Sequence, residues 1–503
     1  MTAFVLVSGP WTGGPLWREV AAKLREAGAE VYPAELTGMG EAAPAAGPDT
    51  DLDTHIGDLL RLIDAVDEPR VVLVGHGLGV HPVLGAADRR PERIGRIVYL
   101  DSGLPRDGES VLDQIPDQGV RDRLLKRAEE DKDRLIPPPS RAEWPLWGST
   151  ADLTEDALDR LAGLAVPQPL GTIEQPLRLS GAADRVPVTG VLCTGNGSSI
   201  GMVETVMALG DPRFRLLGEP WVDFIEIGAG HWPMLSVPGE LAGVLLRAAA
   251  GRGQRVTARA GEETMSGRPF LLDVPERPRE RVGRVDLYPP DAGTDGPRPA
   301  VLFVHGGPVP PDRRPTPRDW PAFVGYARYA ASQGVFGVTL DHRLHGLGDF
   351  GRAAEDLAEA VELVRADPRV DADRIALWHF SAGGLLATDW LAAPPPWLRC
   401  LAASYPVLAP PPNWGLAESR FRPSAAVRGA GRLPIVLTRV GLESPEIAAT
   451  VEEFLTAAED SGAGVELIDV PLAHHGFETL DHTDETRRAV RAAFRSVLAH
   501  LRS

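Results

Sequence analysis

Short apolar runs alternate with amphipathic stretches along most of this chain, and the alternation occurs twice. Phe4-Val5-Leu6-Val7 is apolar throughout and ends in Ser8-Gly9-Pro10, a buried strand running into a loop. Leu16 to Ala27 follows with helical periodicity, and Ala29 to Pro33 reads as a second strand. Val71 to Val74 leads into Gly75-His76-Gly77-Leu78-Gly79, again strand, turn and helix start. Ile94 to Leu100, Thr189 to Thr194 and Phe224 to Ile227 supply further strands, the last opening into Gly228-Ala229-Gly230-His231. The second half has matching parts. Ala300 to Val304 precedes His305-Gly306-Gly307, and Ile375 to Trp378 precedes Ser381-Ala382-Gly383-Gly384. Ile435 to Val440 and Glu466 to Val470 follow, the latter before His474-His475-Gly476. Unbroken apolar strands alternating with helices predict parallel sheets covered on both faces, so the expected fold class is α/β, as two such domains in tandem.

The pattern pauses at Ala249-Ala250-Gly251-Arg252-Gly253, after a helix expected over Pro238 to Arg247. This places one domain at residues 1–250 and another at 254–503. Val256 to Arg259, Phe270 to Val274 and Arg284 to Tyr288 are short strand candidates between Pro- and Gly-rich turns, expected to lead antiparallel into the second sheet. In the first domain Gly103 to Ala183 separates two core strands and holds two helical patterns, Ser110 to Lys132 and Thr154 to Gly163. An insertion there reads as a cap over a pocket. The corresponding stretch of the second domain, Ala409 to Leu433, is short and offers little cover.

Composition narrows the function classes. A chain of 503 residues with 43% hydrophobic content can fill two ordinary cores. A net charge of −18 argues against nucleic acid and acidic membrane surfaces, which would be repelled. No apolar run approaches the roughly 18 residues of a membrane span. The N-terminus enters a strand at once, without a basic segment or cleavage site, and the two cysteines, Cys193 and Cys400, lie far apart in strand-like runs. A soluble, cytoplasmic protein is expected, and a homodimer stays open. No metal-ligand constellation stands out. Gly75-x-Gly77-x-Gly79 lacks the spacing of a phosphate loop, so no cofactor is expected.

The candidate chemistry centres on Ser381, at the apex of a strand, a small-residue turn and a helix start. Such an elbow lifts a serine hydroxyl clear of the sheet, where it serves as a nucleophile once a base takes its proton. Glu443 and His475 follow in the order Ser, acid, His, each just past the end of a strand, where loops gather into sites. His474 adjoins His475 as a rival base, and Asp469 is an alternative acid that sits inside a strand pattern. His342 and His345 suit a structural or pocket-lining place. The N–H groups of Ala382 and Gly307 are the expected oxyanion donors, since Pro308 has none to give. His379 occupies the place of the first glycine in the usual Gly-x-Ser-x-Gly turn.

These residues carry a family resemblance. Residues of about 295–503 resemble the dienelactone-hydrolase and prolyl-oligopeptidase-like esterases, through His305-Gly306-Gly307, Phe380 to Gly384, Gly441-Leu442-Glu443 and His475-Gly476-Phe477. Residues 1–250 resemble the methylesterase and hydroxynitrile-lyase type, through Val5 to Gly9, Gly75 to Gly79, Leu192-Cys193-Thr194 and Gly230-His231-Trp232-Pro233. The resemblance implies two tandem α/β-hydrolase domains, the first with a helical cap. At the positions where that family works, the first domain has Gly77 for the nucleophile, Asn196 for the acid and Pro10 for an oxyanion donor, leaving His231 alone. The reading is a serine hydrolase of esters, thioesters or lactones acting through Ser381, beside a non-catalytic first domain. An acyltransferase or cyclase using the same acyl-enzyme is the alternative, and a scaffold with both sites idle is a third. A His231-based lyase or proton-transfer activity is the minor reading of the first domain.

Overall fold

The computed structural model describes residues 2–115, 117–129, 134–208, 212–256, 269–291, 296–416 and 419–502. The chain divides into two compact units, one built mainly from residues 1–207 and 213–258, the other mainly from 259–411 and 418–503.

The first unit contains β1 (Ala3–Val7), β2 (Glu30–Pro33), β3 (Val71–His76), β4 (Ile94–Leu100), the two-residue β5 (Leu135–Ile136) and β6 (Gln168–Pro169), β7 (Val188–Cys193) and β8 (Val222–Ile227). Its sheet runs β2-β1-β3-β4-β7-β8, and every pairing in it is parallel. The period of two explains why these strands are apolar throughout. Phe4, Leu6, Val72 and Val74 enter the core on one face, while Ala3, Val5, Val7 and Leu73 enter the core on the other. The insertion between β4 and β7 holds the antiparallel ribbon of β5 and β6. It also holds a 3-10 turn at Leu112–Gln114 and helices Gln118–Glu129 and Glu155–Leu164. The single helix expected over Ser110 to Lys132 is thus a turn and a separate helix. Its residues 116 and 130–132 lie outside the described residues. Thr154 caps the second helix, accepting the Ala157 N–H at 3.2 Å.

The second unit contains β9 (Glu280–Val282), β10 (Val285–Tyr288), β11 (Arg298–Val304), β12 (Phe336–Leu340), β13 (Val370–Phe380), β14 (Leu398–Ser404), β15 (Ile435–Leu442) and β16 (Val465–His474). The order is β16-β15-β14-β13-β11-β12-β10-β9, parallel except for β10 and β9 at one edge. Phe270 to Val274, expected as a strand, is irregular, because Leu271 and Leu272 are drawn individually into the core. Val256 is likewise outside any strand, and 257–259 lie outside the described residues. The helix Asp484–Arg502 buries Ala489, Val490, Ala493, Phe494, Val497 and Leu501 in the same core as Trp378 and Phe380 of β13, with the Phe494 ring 4.8 Å from that of Trp378.

One register detail sets up the site. β16 continues past its expected end at Val470, through a shift in pairing, until Leu442 of β15 lies opposite His474. Glu443 and His475 are therefore the next residues on two adjacent parallel strands.

Candidate active site

β13 ends at Phe380, and Ser381 takes φ +53°, the left-handed conformation that side chains rarely adopt. The chain then tightens into a 3-10 turn, Ser381–Ala387. Its glycines are sterically required. A Cβ on Gly383 would lie 2.4 Å from the His305 carbonyl oxygen, and one on Gly384 would lie 2.6 Å from that of Val407. His379 is fully buried and bridges the turn, its Nδ1 2.9 Å from the Gly383 carbonyl oxygen. Burial pushes its imidazole down to about 4, so it is a neutral strut.

Ser381 Oγ donates to His475 Nε2 at 2.6 Å, and His475 Nδ1 donates to Glu443 Oε2 at 2.6 Å. The other Glu443 oxygen accepts the Ser444 N–H at 2.9 Å. The His475 and Glu443 side chains are only 10% and 7% exposed, which strengthens their interaction relative to water. Such a chain can take a proton from the serine, hold the resulting imidazolium and return the proton to a leaving group. Of the rivals, His474 is half exposed and pairs with Asp481, while Asp469 pairs with Arg439 at 2.7 Å.

The loop after β11 closes on the serine. A Cβ on Gly306 would come within 2.7 Å of Ser381 Cβ and 3.2 Å of its Oγ. Gly307 follows and lines the same cavity as Ser381, and Ala382 is the buried residue after the serine. Histidines brace this loop. His342 Nε2 donates to the His305 carbonyl at 2.9 Å with the two rings stacked at 3.7 Å, and His345 Nδ1 donates to Val309 at 2.9 Å. Burial pushes His342 down to about 4 and His305 well below the usual imidazole range, keeping both neutral. The cavity measures about 850 Å³, counting space open to solvent at its mouth. Aromatic rings form much of its wall, including Trp320, Phe323, Phe380 and Tyr405.

The first unit holds a second constellation. Gly77 sits at the matching turn after β3 with φ +52°, close to the angle of Ser381. A Cβ there would lie 3.1 Å from His231 Nε2. His231 does not stand alone, and the expectation of a missing acid is corrected here. Its Nδ1 donates to Asp101 Oδ2 at 2.7 Å, and Asn196 Nδ2 donates to the same oxygen at 2.7 Å. Asn196 Oδ1 in turn accepts the Ser149 N–H at 2.6 Å. Asn196 thus positions the acid. Asp101 directly follows β4 with φ +46° and a side chain only 1% exposed. Its signal in the sequence is an acid at the carboxyl end of a strand, Tyr99-Leu100-Asp101, one core strand earlier than the place searched. His76 donates its Nε2–H to the His231 carbonyl at 2.8 Å, and burial pushes its own imidazole down to about 3. Pro10 lies in the loop after β1, lining a small cavity with Leu78.

The parallel sheet of the first unit, with its sharp turn after β3, has the architecture of an α/β-hydrolase fold. The profile of the Alpha/beta hydrolase family matches residues 4–244. The chain is 31% identical over 266 residues to a carbendazim hydrolyzing esterase of Nocardioides sp. (strain SG-4G), which covers 48% of this chain and 97% of that protein. On that relationship the chain belongs to the α/β-hydrolase family. It is also 30% identical over 128 residues to a putative chloroplastic methylesterase 12 of Arabidopsis thaliana, 25% of this chain and 37% of that protein. Among solved structures, an extracellular α/β-hydrolase from a Paenibacillus species matches 49% of this chain and 99% of its own at 23% identity, with a TM-score of 0.42. The family profile falls on the half that carries Gly77; Ser381 lies outside it.

Proposed function

We propose that the protein is a serine hydrolase of small esters, thioesters or lactones, working through an acyl-enzyme at Ser381 in a second α/β-hydrolase domain over residues 254–503. The observation that carries this is the unbroken chain Ser381–His475–Glu443, with both links at 2.6 Å, opening into the apolar cavity. Esterases among the relatives support the reaction class. Ser381 Oγ attacks the carbonyl carbon while His475 Nε2 takes its proton. The N–H groups of Gly307 and Ala382 receive the oxyanion. His475 then protonates the departing alcohol or thiol. Water attacks the acyl group, gives its proton to Nε2, and releases the acid as Ser381 recovers its hydrogen. Intact-mass measurement after treatment with a fluorophosphonate tests this. One adduct is expected on the wild type and none on Ser381→Ala; labelling that survives the substitution overturns the assignment.

A second reading concerns the first unit, where the Asp101–His231 pair favours it. His231, oriented by Asp101 and facing a turn without a nucleophile, suits proton transfer to or from a bound molecule with no covalent intermediate. Ester hydrolysis itself is assigned to Ser381, because position 77 offers no side chain to acylate and Pro10 no N–H.

A further inference from the structure

In each unit, the residue that follows the strand beside the sharp turn is held in the same rare conformation. In the first unit that strand is β4, and Asp101 after it has φ +46° and holds His231. In the second it is β14, and Tyr405 after it has φ +37°, its N–H donated to the Thr438 carbonyl at 2.8 Å. A bulky side chain seldom takes such an angle, and strain of this kind gathers where a group must be placed exactly for function. Tyr405 is placed against the base, its buried ring 4.8 Å from that of His475. Its hydroxyl donates to Glu478, which lies three residues past His475 in the short helix Phe477–Leu480 and is also buried. Glu478 Oε1 accepts the Tyr326 hydroxyl at 2.6 Å, from the helix Pro321–Ser332, and the carboxyl receives its own backbone N–H as well. A buried carboxyl satisfied by two phenols and an amide is a rigid support. The proposed reaction makes no use of it.

We infer, on the reading that His475 is the base for Ser381, that Tyr405 and Glu478 are positioning residues for that histidine. The carboxylate fixes the phenol, the phenol fixes the side of the imidazole, and the buried negative charge favours the imidazolium formed when Ser381 gives up its proton. Glu443 does a different task, since its bond to Nδ1 decides which nitrogen carries the proton. The titratable groups about His475 are Ser381 at Nε2, Glu443 at Nδ1, Tyr405 beside the ring and Glu478 bonded to Tyr405, and Arg313 lines the same cavity. About Glu478 stand Tyr326, Tyr405 and His475, with His482 Nε2 3.0 Å from its carbonyl oxygen. Burial, with the Glu478 charge beside them, pushes both phenols well above their usual range, so each stays a donor. Burial also pushes the Glu478 carboxyl up, opposed by both phenols, by its own N–H and by the charge of His475. That last interaction is mutual, so a charge on Glu478 stabilises a charge on His475.

The test compares the pH dependence of kcat/KM for nitrophenyl acetate in the wild type, Glu478→Gln and Tyr405→Phe. Glutamine keeps the shape and still accepts a phenol, while phenylalanine keeps the ring and drops only its hydroxyl. Without the charge, the acid limb that reports the free base should move down by about half to one pH unit. The plateau kcat should fall roughly three- to tenfold, with KM within about twofold of wild type. Tyr405→Phe leaves Glu478 short of one donor, so its limb should move the same way by less. In a His475→Ala background neither substitution should change the residual rate, because both act through the imidazole. A lower melting midpoint with the acid limb unmoved in both variants would make the bridge purely structural and overturn the inference. NMR titration of Cε1-labelled histidine in Ser381→Ala, with His475→Asn to assign the signal, needs no turnover. An equal His475 titration there with and without Glu478→Gln refutes the role of Glu478. Absence of ester turnover in the wild type instead fails the serine-hydrolase reading, and the titration still decides the inference.

Discussion

Placing a serine at position 77 tests how much of a hydrolytic site the first unit retains. The variant is Gly77→Ser in a Ser381→Ala background, so that any acylation arises in the first unit. The backbone is prepared for it, since Gly77 has φ +52° and Ser381 has φ +53°. The new Cβ would lie 3.1 Å from His231 Nε2 and 3.3 Å from its Cε1, so the ring must give by a few tenths of an ångström. The hydroxyl would then reach an imidazole already held by Asp101 at 2.7 Å. On the proposed reading that Pro10 stands where Gly307 stands in the second unit, one oxyanion donor is missing, because proline has no N–H. Loss of one such donor costs about 10²–10³ in kcat, roughly 3–4 kcal/mol. A non-glycine residue in the left-handed region adds about 1–2 kcal/mol of destabilisation. That should lower the melting midpoint by roughly 2–4 °C per kcal/mol. The expected outcome is a slow fluorophosphonate adduct at position 77 and nitrophenyl ester turnover about 10²–10³ below wild type. Intact mass, peptide mapping and steady-state kinetics read these. A folded variant that takes no adduct would show the Asp101–His231 pair to be incompetent as a base. Turnover equal to wild type would refute the argument from Pro10.

Three further outcomes are expected. Glu443→Gln should keep the fold but lower kcat by about 10⁴, because the amide supports the wrong His475 tautomer; steady-state kinetics with a nitrophenyl ester checks it, and a loss under tenfold would show that the acid lies elsewhere. His231→Ala should leave Ser381-dependent ester turnover within a few-fold of wild type, whereas a loss of about a hundredfold would place the first unit in the hydrolytic reaction. The buried histidines of the second unit should make its stability fall in acid. His342 and His379 are pushed down to about 4 in the fold, so between pH 6.5 and 4 the unfolded chain binds more protons. Their stabilising contribution, up to about 3 kcal/mol each, is fully present above the unfolded value and is lost as pH falls through that window. Denaturant melts at pH 7 and pH 5 read the slope, and His379→Asn should flatten it.

The local chemistry of both turns was legible in the chain. Apolar runs ending in small residues, repeated between helical stretches, read as buried strands entering tight turns, because a strand apolar on both faces needs cover on both faces. That reading put Ser381, Glu443 and His475 past strand ends, and the structure has Ser381 and Glu443 directly after β13 and β15 and His475 directly after β16. The limits of Phe270 to Val274 and of Ser110 to Lys132 were misjudged, since short apolar windows carry no mark that separates a strand from residues buried one by one. Asp101 was missed for a different reason. Its role depends on β4 lying beside β7 in the sheet, with Asn196 reaching across to hold the same carboxyl oxygen that His231 uses. No spacing along the chain encodes that, because residues 101, 196 and 231 meet only through strand order. The partner of Glu478 is the same kind of fact. Sequence places a carboxylate three residues after a histidine, but only packing brings Tyr326, 152 positions away, to donate its hydroxyl to that carboxylate.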